Sequence, residues 1–308
     1  MHILVVIPVH NRPALIQQAL DSVSLQTCRP HSVIVVDDGS TDNTPAAIHA
    51  WMDRHPDFPI QLIRTQNKGA SAARNLGVTS ASGEIEAVAF LDSDDLWPVD
   101  FLERGSDALS SRTDAVAAST DREFVWVDES RRTHASLETL PHNPWLWMIV
   151  HDAGIGSCSL FRLSAFRAAG GYPEEIPTGH DTVLFGRIAA QGNWLHLPGN
   201  ATIFQRSSSG NSRTHSGHLH QRYPDYLYWW AEASDQLWRE APPDKNMDPL
   251  GKKNLALRWS KAARQALKAN KPVQARLYLA KAITLCPWSL KYRQKWLASF
   301  FKRYPNAT

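Results

Sequence analysis

Three carboxylates stand within four residues at Asp92-Ser93-Asp94-Asp95, directly after the apolar run Glu86-Ala87-Val88-Ala89-Phe90-Leu91. The run predicts a strand, so the carboxylates are expected at a strand's C-terminal end, where open α/β sheets bind ligands. Carboxylates this dense repel one another unless a cation or a set of donors holds them. A divalent ion carrying phosphate oxygens is the economical occupant, because Mg²⁺ and Mn²⁺ take carboxylate and phosphate oxygens. The plain alternative is a solvated acidic loop in which Asp95 caps a helix entered at Leu96-Trp97-Pro98.

A second acidic loop follows another apolar run: Val36-Asp37-Asp38-Gly39-Ser40-Thr41-Asp42. A carboxylate here can accept from a base N–H or a ribose hydroxyl, and Gly39 lets the backbone turn close by. It can equally be a tight turn with an Asp cap for the next helix. Lys68, in Asn67-Lys68-Gly69, and Arg74, in Ala73-Arg74-Asn75, offer charge and donors suited to a diphosphate. Single Lys and Arg residues are more often plain surface charge.

The elements that must position these groups read as alternating strands and helices. Strands are expected at residues 2–9, 32–36, 60–64 and 86–91. Helices are expected from Asn11-Arg12-Pro13 to Gln26, from Pro45 onward, and over 69–80. This alternation predicts an α/β fold with a mainly parallel sheet covered on both faces. Residues 119–225 read as less regular, with short pieces at 145–149, 158–162 and 201–205, a helix over 178–191, and a loop rich in Ser, His and Gly at 206–218. From about residue 226 the pattern is helical, with breaks near Pro242-Pro243, at Asn270-Lys271-Pro272 and at Pro287. Residues 267–283 resemble one helix-turn-helix of a tetratricopeptide unit, but no second copy follows at a fixed period.

The chain has 308 residues, 43% hydrophobic and 20% charged, which suits one large domain or a domain with an appendage. Cys28, Cys158 and Cys286 are scattered and form no CxxC spacing, which argues against a zinc site or a disulfide framework. Met1-His2-Ile3-Leu4-Val5-Val6-Ile7-Pro8 lacks a basic lead, and its apolar run is short for a signal peptide. No stretch approaches the roughly 20 apolar residues of a membrane span. A reduced cytoplasmic setting is therefore expected.

Taken in order, Pro8-Val9-His10-Asn11-Arg12, Val36-Asp37-Asp38-Gly39-Ser40-Thr41-Asp42, Asn67-Lys68-Gly69, Ala73-Arg74-Asn75 and Asp92-Ser93-Asp94-Asp95 resemble the N-terminal half of a family-2 glycosyltransferase, the large inverting family with the GT-A fold. The resemblance covers roughly residues 2–215 and is looser in its second half. It implies a Rossmann-like GT-A domain over residues 1–225 and leaves 226–308 as an α-helical appendage. It implies an inverting, metal-dependent transfer of a sugar from a nucleotide-diphosphate donor, usually UDP-linked, to a hydroxyl of a glycan or glycolipid in cell-envelope polysaccharide synthesis. Pro8, Val9, Asn11 and Arg12 would line the nucleotide pocket, Asp38 would bind the base, and Lys68 or Arg74 would sit near the diphosphate or sugar. Asp92-Ser93-Asp94 would be the DxD motif, with Asp94 the direct ligand of Mn²⁺ or Mg²⁺ and Asp92 closer to the sugar or ribose.

The same resemblance implies a general base. Gly179-His180-Asp181-Thr182-Val183-Leu184-Phe185-Gly186-Arg187, after Gly170-Gly171-Tyr172, fits the frame in which an acidic pair opens a helix ending in Arg. Asp181 is the expected base, with His180 where a Glu is usual. Taken alone, Asp181 reads as a helix cap. A third metal ligand, often a His after the last strand, falls to His215 or His218, or to no protein His. The departures at His180 and in this loop leave a non-catalytic scaffold open, and the metal-bearing sheet leaves a nucleotidyltransferase open. The latter's usual Gly-rich start is missing from strand one.

Residues 251–308 hold 14 Lys and Arg and no Asp or Glu, while the first 250 carry a net charge of −11. Trp259, Trp288, Trp296, Phe300 and Phe301 are interleaved with these cations. Such a segment fits an anionic membrane surface, here the inner face of the cytoplasmic membrane, or a helical hairpin packed on the acidic body. No nucleic-acid-binding module appears, so no nucleic-acid partner is expected.

Overall fold

The structure is a computed structural model and describes residues 1–126, 131–151, 153–206, 223–241 and 248–301. The first part alternates β1 (Ile3–Val9), α1 (Leu15–Ser24), β2 (Ser32–Asp38), α2 (Thr44–Arg54), β3 (Ile60–Thr65), α3 (Ala70–Thr79) and β4 (Ala87–Phe90). A two-residue strand, β5 (Asp95–Leu96), precedes α4 (Phe101–Ser111), β6 (Ala115–Trp126) and β7 (Arg132–Ala135). Then come α5 (Pro144–Val150), β8 (Ser159–Arg162), α6 (Leu163–Ala168), α7 (His180–Ala189) and β9 (Asn193–Arg206). Four helices end the described chain: α8 (Tyr226–Arg239), α9 (Pro249–Lys268), α10 (Pro272–Leu285) and α11 (Leu290–Phe301).

These strands form one sheet in the order β3-β2-β1-β4-β8-β6-β9-β5, with β7 on the edge of β6. The pairs β1–β2, β2–β3, β1–β4 and β6–β9 are parallel, and β8 joins its neighbours antiparallel. Strand β1 is buried along its whole length. Ile3, Val5, Ile7 and Val9 face one core with α1, α2 and α4, while Leu4 and Val6 face a second core on the other side. Side chains alternate across a strand, so a continuous apolar run fills both faces at once. The α/β fold with helices on both faces is as expected.

Two long strands differ from the irregular reading of residues 119–225. Strand β6 opens with Ala, Ser and Thr, and its first seven residues are all buried, so it shows no alternation. Strand β9 contains Pro198 and Gly199, which read as breakers, and absorbs them in an irregularity opposite Asp121. Arg104 donates to the freed carbonyls of Pro198 and Asn200, at 2.8 and 2.6 Å. Strand β9 also pairs with β5, so Asp95 lies in a strand, and α4 starts only at Phe101. Its expectation as a helix cap is not met.

The C-terminal helices follow the sequence reading. Asp248 caps α9 by accepting from the amides of Leu250 and Gly251, with Pro249 in the first turn. That helix stops in a Schellman turn at Asn270, whose φ of 56° is left-handed. There Lys271 N–H reaches Ala266 O and Asn270 N–H reaches Leu267 O. Leu237, Trp238, Ala256 and Trp259 join the same buried cluster as Phe161 and Phe185. The break expected at Pro242-Pro243 lies outside the described residues.

Helix α3 approaches β1 closely at Gly77, where a Cβ would run into the Val6 side chain. Gly77→Ala should therefore lower stability by about 1–3 kcal/mol through overpacking, although Ala is the better helix former by about 1 kcal/mol. Urea unfolding checks this, and a stabilised variant would refute the close packing.

Candidate active site

The parallel strands β1, β2 and β4 end side by side, with Val9 opposite Asp37 and Val6 opposite Phe90. The loops that leave them carry His10-Asn11-Arg12, Gly39-Ser40-Thr41-Asp42 and Asp92-Ser93-Asp94-Asp95. This is the crevice outside the carboxyl ends of the strands where such sheets take ligands. Pro8 is tolerated in a central strand because the β1–β4 ladder stops at Val6, with Leu91 N–H reaching Val6 O. Pro8 faces the same side two residues on, past the end of that ladder, so its missing donor breaks no pairing.

Asn11 sits at φ 53°, a left-handed conformation that Asn accepts better than most residues. Its amide N–H donates to Ser40 Oγ at 2.9 Å, and its side-chain oxygen accepts from Thr41 N–H at 2.8 Å. The first two loops are thereby locked together. Gly39 has φ 76°, and a Cβ there would stand 2.8 Å from Asn67 N, so the turn requires glycine. Asp37 is fully buried, accepting from Ser40 N–H at 2.9 Å and from Arg64 Nε at 3.0 Å. Asp38, also buried, accepts from the amides of Lys68 and Gly69, each at 2.8 Å. Both its oxygens thus hold the loop that opens α3. The Lys68 backbone is fixed by this contact, while its side chain is exposed.

Two arginines hold the acidic stretch. Arg12 Nη1 stands 2.6 Å from Asp94 Oδ1 and donates to Ser93 Oγ at 3.3 Å. Arg74 Nη2 pairs with Asp92 Oδ1, and its guanidinium lies 5.0 Å from the centre of the Tyr172 ring. Arg74 is only 7% exposed, and its Nε and Nη1 have no hydrogen-bond partner among the described residues. Burial by itself would lower the Arg74 pKa, but Asp92, Tyr172 and Asp181 outweigh it and the net shift is upward. Asp181 therefore lies within electrostatic reach of the Arg74–Asp92 pair. Burial raises the Asp95 carboxyl well above its ordinary value, Asp94 and Asp92 add to the rise, and Ser157 and Arg206 oppose it. The fit to Mg²⁺ or Mn²⁺ is chemical: the hard carboxylate oxygens of Asp92 and Asp94 suit such an ion, and in this structure they pair with Arg74 and Arg12. Among the described residues no group of three or more His, Cys, Asp or Glu can hold an ion. A cation here needs substrate oxygens in its shell.

Asp181 occupies the first turn of α7, with its Oδ1 3.6 Å from His180 Nε2. Helix α7 packs on α8, and Arg187 Nε and Nη2 donate to the two Glu240 oxygens, each at 2.8 Å. His215 and His218 lie outside the described residues.

Three residues that organise the site had no role assigned from sequence, although Asn75 and Tyr172 stand in the motifs quoted above. Tyr172 covers Arg74, and Asn75 clamps the Tyr172 backbone, donating to its carbonyl at 2.8 Å and accepting from its amide at 2.9 Å. Ser157 accepts from Asp92 N–H at 3.1 Å, and its carbonyl accepts from Trp97 Nε1 at 2.6 Å. The Gly170-Gly171 pair before an aromatic is a usable signal for Tyr172. Ser157 has none, being one serine in a short turn far along the chain.

Asp38→Asn places an NH₂ group against one of the two backbone donors and should cost about 1–3 kcal/mol without any ligand present. Urea unfolding at pH 7 measures it, and an unchanged stability would remove the carboxylate's role in holding the loop. Glu240→Gln should cost less than about 1 kcal/mol, because the pair is partly solvated. The Glu240 carboxyl sits below its ordinary 4.5, first through its hydrogen bonds from Arg187. A lowered folded pKa gives stability that is complete above the unfolded value and disappears as pH falls through the folded one. The melting gap between wild type and variant should therefore be full at pH 7 and close at pH below 4.5.

Comparison with known proteins bears on the family and the fold. The profile of "Glycosyl transferase family 2" matches residues 4–170. An uncharacterized glycosyltransferase of Rickettsia felis is 29% identical over 196 residues, which is 61% of this chain and 30% of that relative. The chain thus spans less than a third of that relative's length. Among solved structures, the mannosyltransferase PcManGT from Pyrobaculum calidifontis, in complex with GDP-Man and Mn²⁺, superposes with a TM-score of 0.58 at 21% identity, covering 97% of this chain and 84% of that one. S. aureus TarS 1–349 in complex with UDP-GlcNAc gives 0.59 at 16% identity, covering 96% and 92%. At these identities the structures establish the shared fold. The profile match extends over more than half of the sequence, and the chain belongs to glycosyl transferase family 2.

Proposed function

We propose that this chain moves a sugar from a nucleotide-diphosphate donor, a UDP-sugar, to a hydroxyl of a glycan or lipid-linked acceptor in cell-envelope polysaccharide synthesis. Transfer inverts the anomeric centre and depends on Mn²⁺ or Mg²⁺. Residues 1–225 carry out the transfer in the cytoplasm, and 226–308 form a helical accessory region.

The observation that carries this reading is Arg74. A guanidinium buried beside Asp92, with two of its three nitrogens unpartnered among the described residues, is a costly arrangement unless an anion takes those donors. A donor diphosphate has the charge and the oxygens to do so. Family membership and the nucleotide sugars in the two related structures support the same donor class.

In this reading the loop of Pro8, Val9, Asn11 and Arg12 frames the nucleotide, and Asp38 holds the loop beside the base. Arg74 grips the diphosphate while Lys68 contributes charge from the rim. Asp92 and Ser93 line the sugar or ribose, and Asp94 supplies the protein's ligand to the cation. When bound, the cation offsets negative charge on the leaving diphosphate. Asp181 accepts the acceptor's hydroxyl proton as the new C–O bond forms and the bond to phosphate breaks. Holding the two substrates in line removes much of the entropic barrier.

The test is calorimetric binding of UDP- and GDP-sugars with Mn²⁺ and with EDTA, followed by turnover. Asp94→Ala should weaken Mn²⁺-dependent donor binding by roughly tenfold or more. Asp181→Asn should keep donor binding and lower kcat by about 10²–10⁴-fold. Failure of every donor to bind would sink the reading, and release of pyrophosphate would replace it with nucleotidyl transfer.

A further inference from the structure

The last two helices turn a mixed apolar and cationic face outward. Helix α10 buries Ala275, Leu279 and Ala282, and α11 buries Tyr292 and Ser299. The opposite sides keep large apolar groups in solvent: Val273 is 62% exposed, Leu277 61%, Leu290 71%, Leu297 55% and Phe300 52%. Trp288, in the turn between the helices, is 90% exposed. Scattered exposed leucines are ordinary, but these fall together. Val273, Leu277 and Arg276 share one face of α10 by helical spacing, and Leu290, Arg293, Leu297 and Phe300 share one face of α11. Arg276 lies 4.5 Å from the centre of the Phe300 ring, so the two faces meet.

The charge on this hairpin is of one sign. Lys281 is paired with Glu232 and Asp235 on α8, whereas Arg276, Lys291 and Arg293 make no ion pair among the described residues. Burial, then Lys291 and Arg264, push the Lys295 ammonium below its ordinary value, as expected where like charges crowd. An apolar protein partner would leave these cations uncompensated, and a nucleic acid would leave Leu290, Leu297 and Val273 without a use. An anionic bilayer surface takes both, with cations at lipid phosphates and apolar side chains at the acyl boundary. Trp suits that boundary, having an apolar ring and a polar N–H. No helix of the described residues is long and apolar enough to cross a membrane, so the contact is peripheral.

We infer that the α10–α11 hairpin docks the chain on an anionic bilayer surface, with Trp288, Leu290, Leu297 and Phe300 entering the headgroup region and Arg276, Lys291 and Arg293 at lipid phosphates. This docking needs no donor, so it stands or falls separately from sugar transfer.

Flotation of the full chain with vesicles of phosphatidylglycerol and phosphatidylcholine, against phosphatidylcholine alone, tests it. Binding should be at least roughly tenfold stronger on the anionic vesicles and should weaken in high salt. The charge variant Arg276→Glu/Lys291→Glu/Arg293→Glu should lose at least roughly a factor of five per cation. The apolar variant Trp288→Ser/Leu290→Ser/Leu297→Ser should lose roughly tenfold or more while its melting temperature stays unchanged, because these side chains are exposed. Equal binding to neutral vesicles, or variants that float like wild type, would overturn the inference. So would an absence of vesicle binding together with a dimer dissolved by the apolar variant, which would make a second copy the occupant. Binding of duplex RNA without binding of vesicles would overturn it in the same way.

Discussion

Five carboxylates crowd the carboxyl edge of three adjacent strands: Asp37 and Asp38 on β2, and Asp92, Asp94 and Asp95 after β4. Two like charges ~4 Å apart cost about 4 kcal/mol at an effective dielectric of ~20, so such an edge persists only if each group has its own compensation. Each does, by a different device. Asp37 takes a backbone amide and Arg64, Asp38 takes two backbone amides, Asp92 takes Arg74, and Asp94 takes Arg12. Asp95 is buried, which raises its carboxyl, and Asp94 and Asp92 add to the rise while Ser157 and Arg206 offset part of it. The loop conformations follow from these demands: the left-handed Asn11, the glycine turn at Gly39 and the entry into α3 all bring donors to carboxylates.

The same network ties the halves of the crevice together. Helix α3 supplies Arg74 to Asp92 and, one residue on, Asn75 to the Tyr172 backbone. Tyr172 closes over Arg74, and the loop it belongs to leads into α7 with Asp181 in the first turn. Helix α7 is in turn fastened to α8 through Arg187 and Glu240, and α8 carries the C-terminal helices. Disturbing α3 therefore reaches the nucleotide side and the Asp181 side of the crevice at once. This coupling is a matter of contiguous contacts, with no second conformation required.

Local order was readable where local chemistry is decisive. Strands β1, β2 and β4 are apolar runs bounded by polar turns, and α9 ends at the expected break, Asn270-Lys271-Pro272. The acidic loops stand out because carboxylates this dense repel one another unless something compensates them. Strands β6 and β9 were not legible. One is rich in Ala and Ser, the other contains Pro and Gly, and both are strands because neighbouring strands and Arg104 satisfy their backbones.

The sequence by itself determined that an α/β sheet would deliver acidic loops to one edge, and that a basic helical region would follow. Periodicity, turn residues and charge are properties of short segments, and they act before the chain is compact. Only the tertiary structure decided which cation meets which carboxylate. Nothing local pairs Arg12 with Asp94, Arg74 with Asp92, or the Asp38 oxygens with the amides of Lys68 and Gly69. Those partners are distant along the chain and meet because parallel strands with helical crossovers bring their carboxyl ends together. It also decided that Tyr172 lies over Arg74, and that Ser157, which carries neither a charge nor a spacing that marks it, belongs to the site. A side chain's role there depends on where packing puts it, and packing is settled by the whole chain.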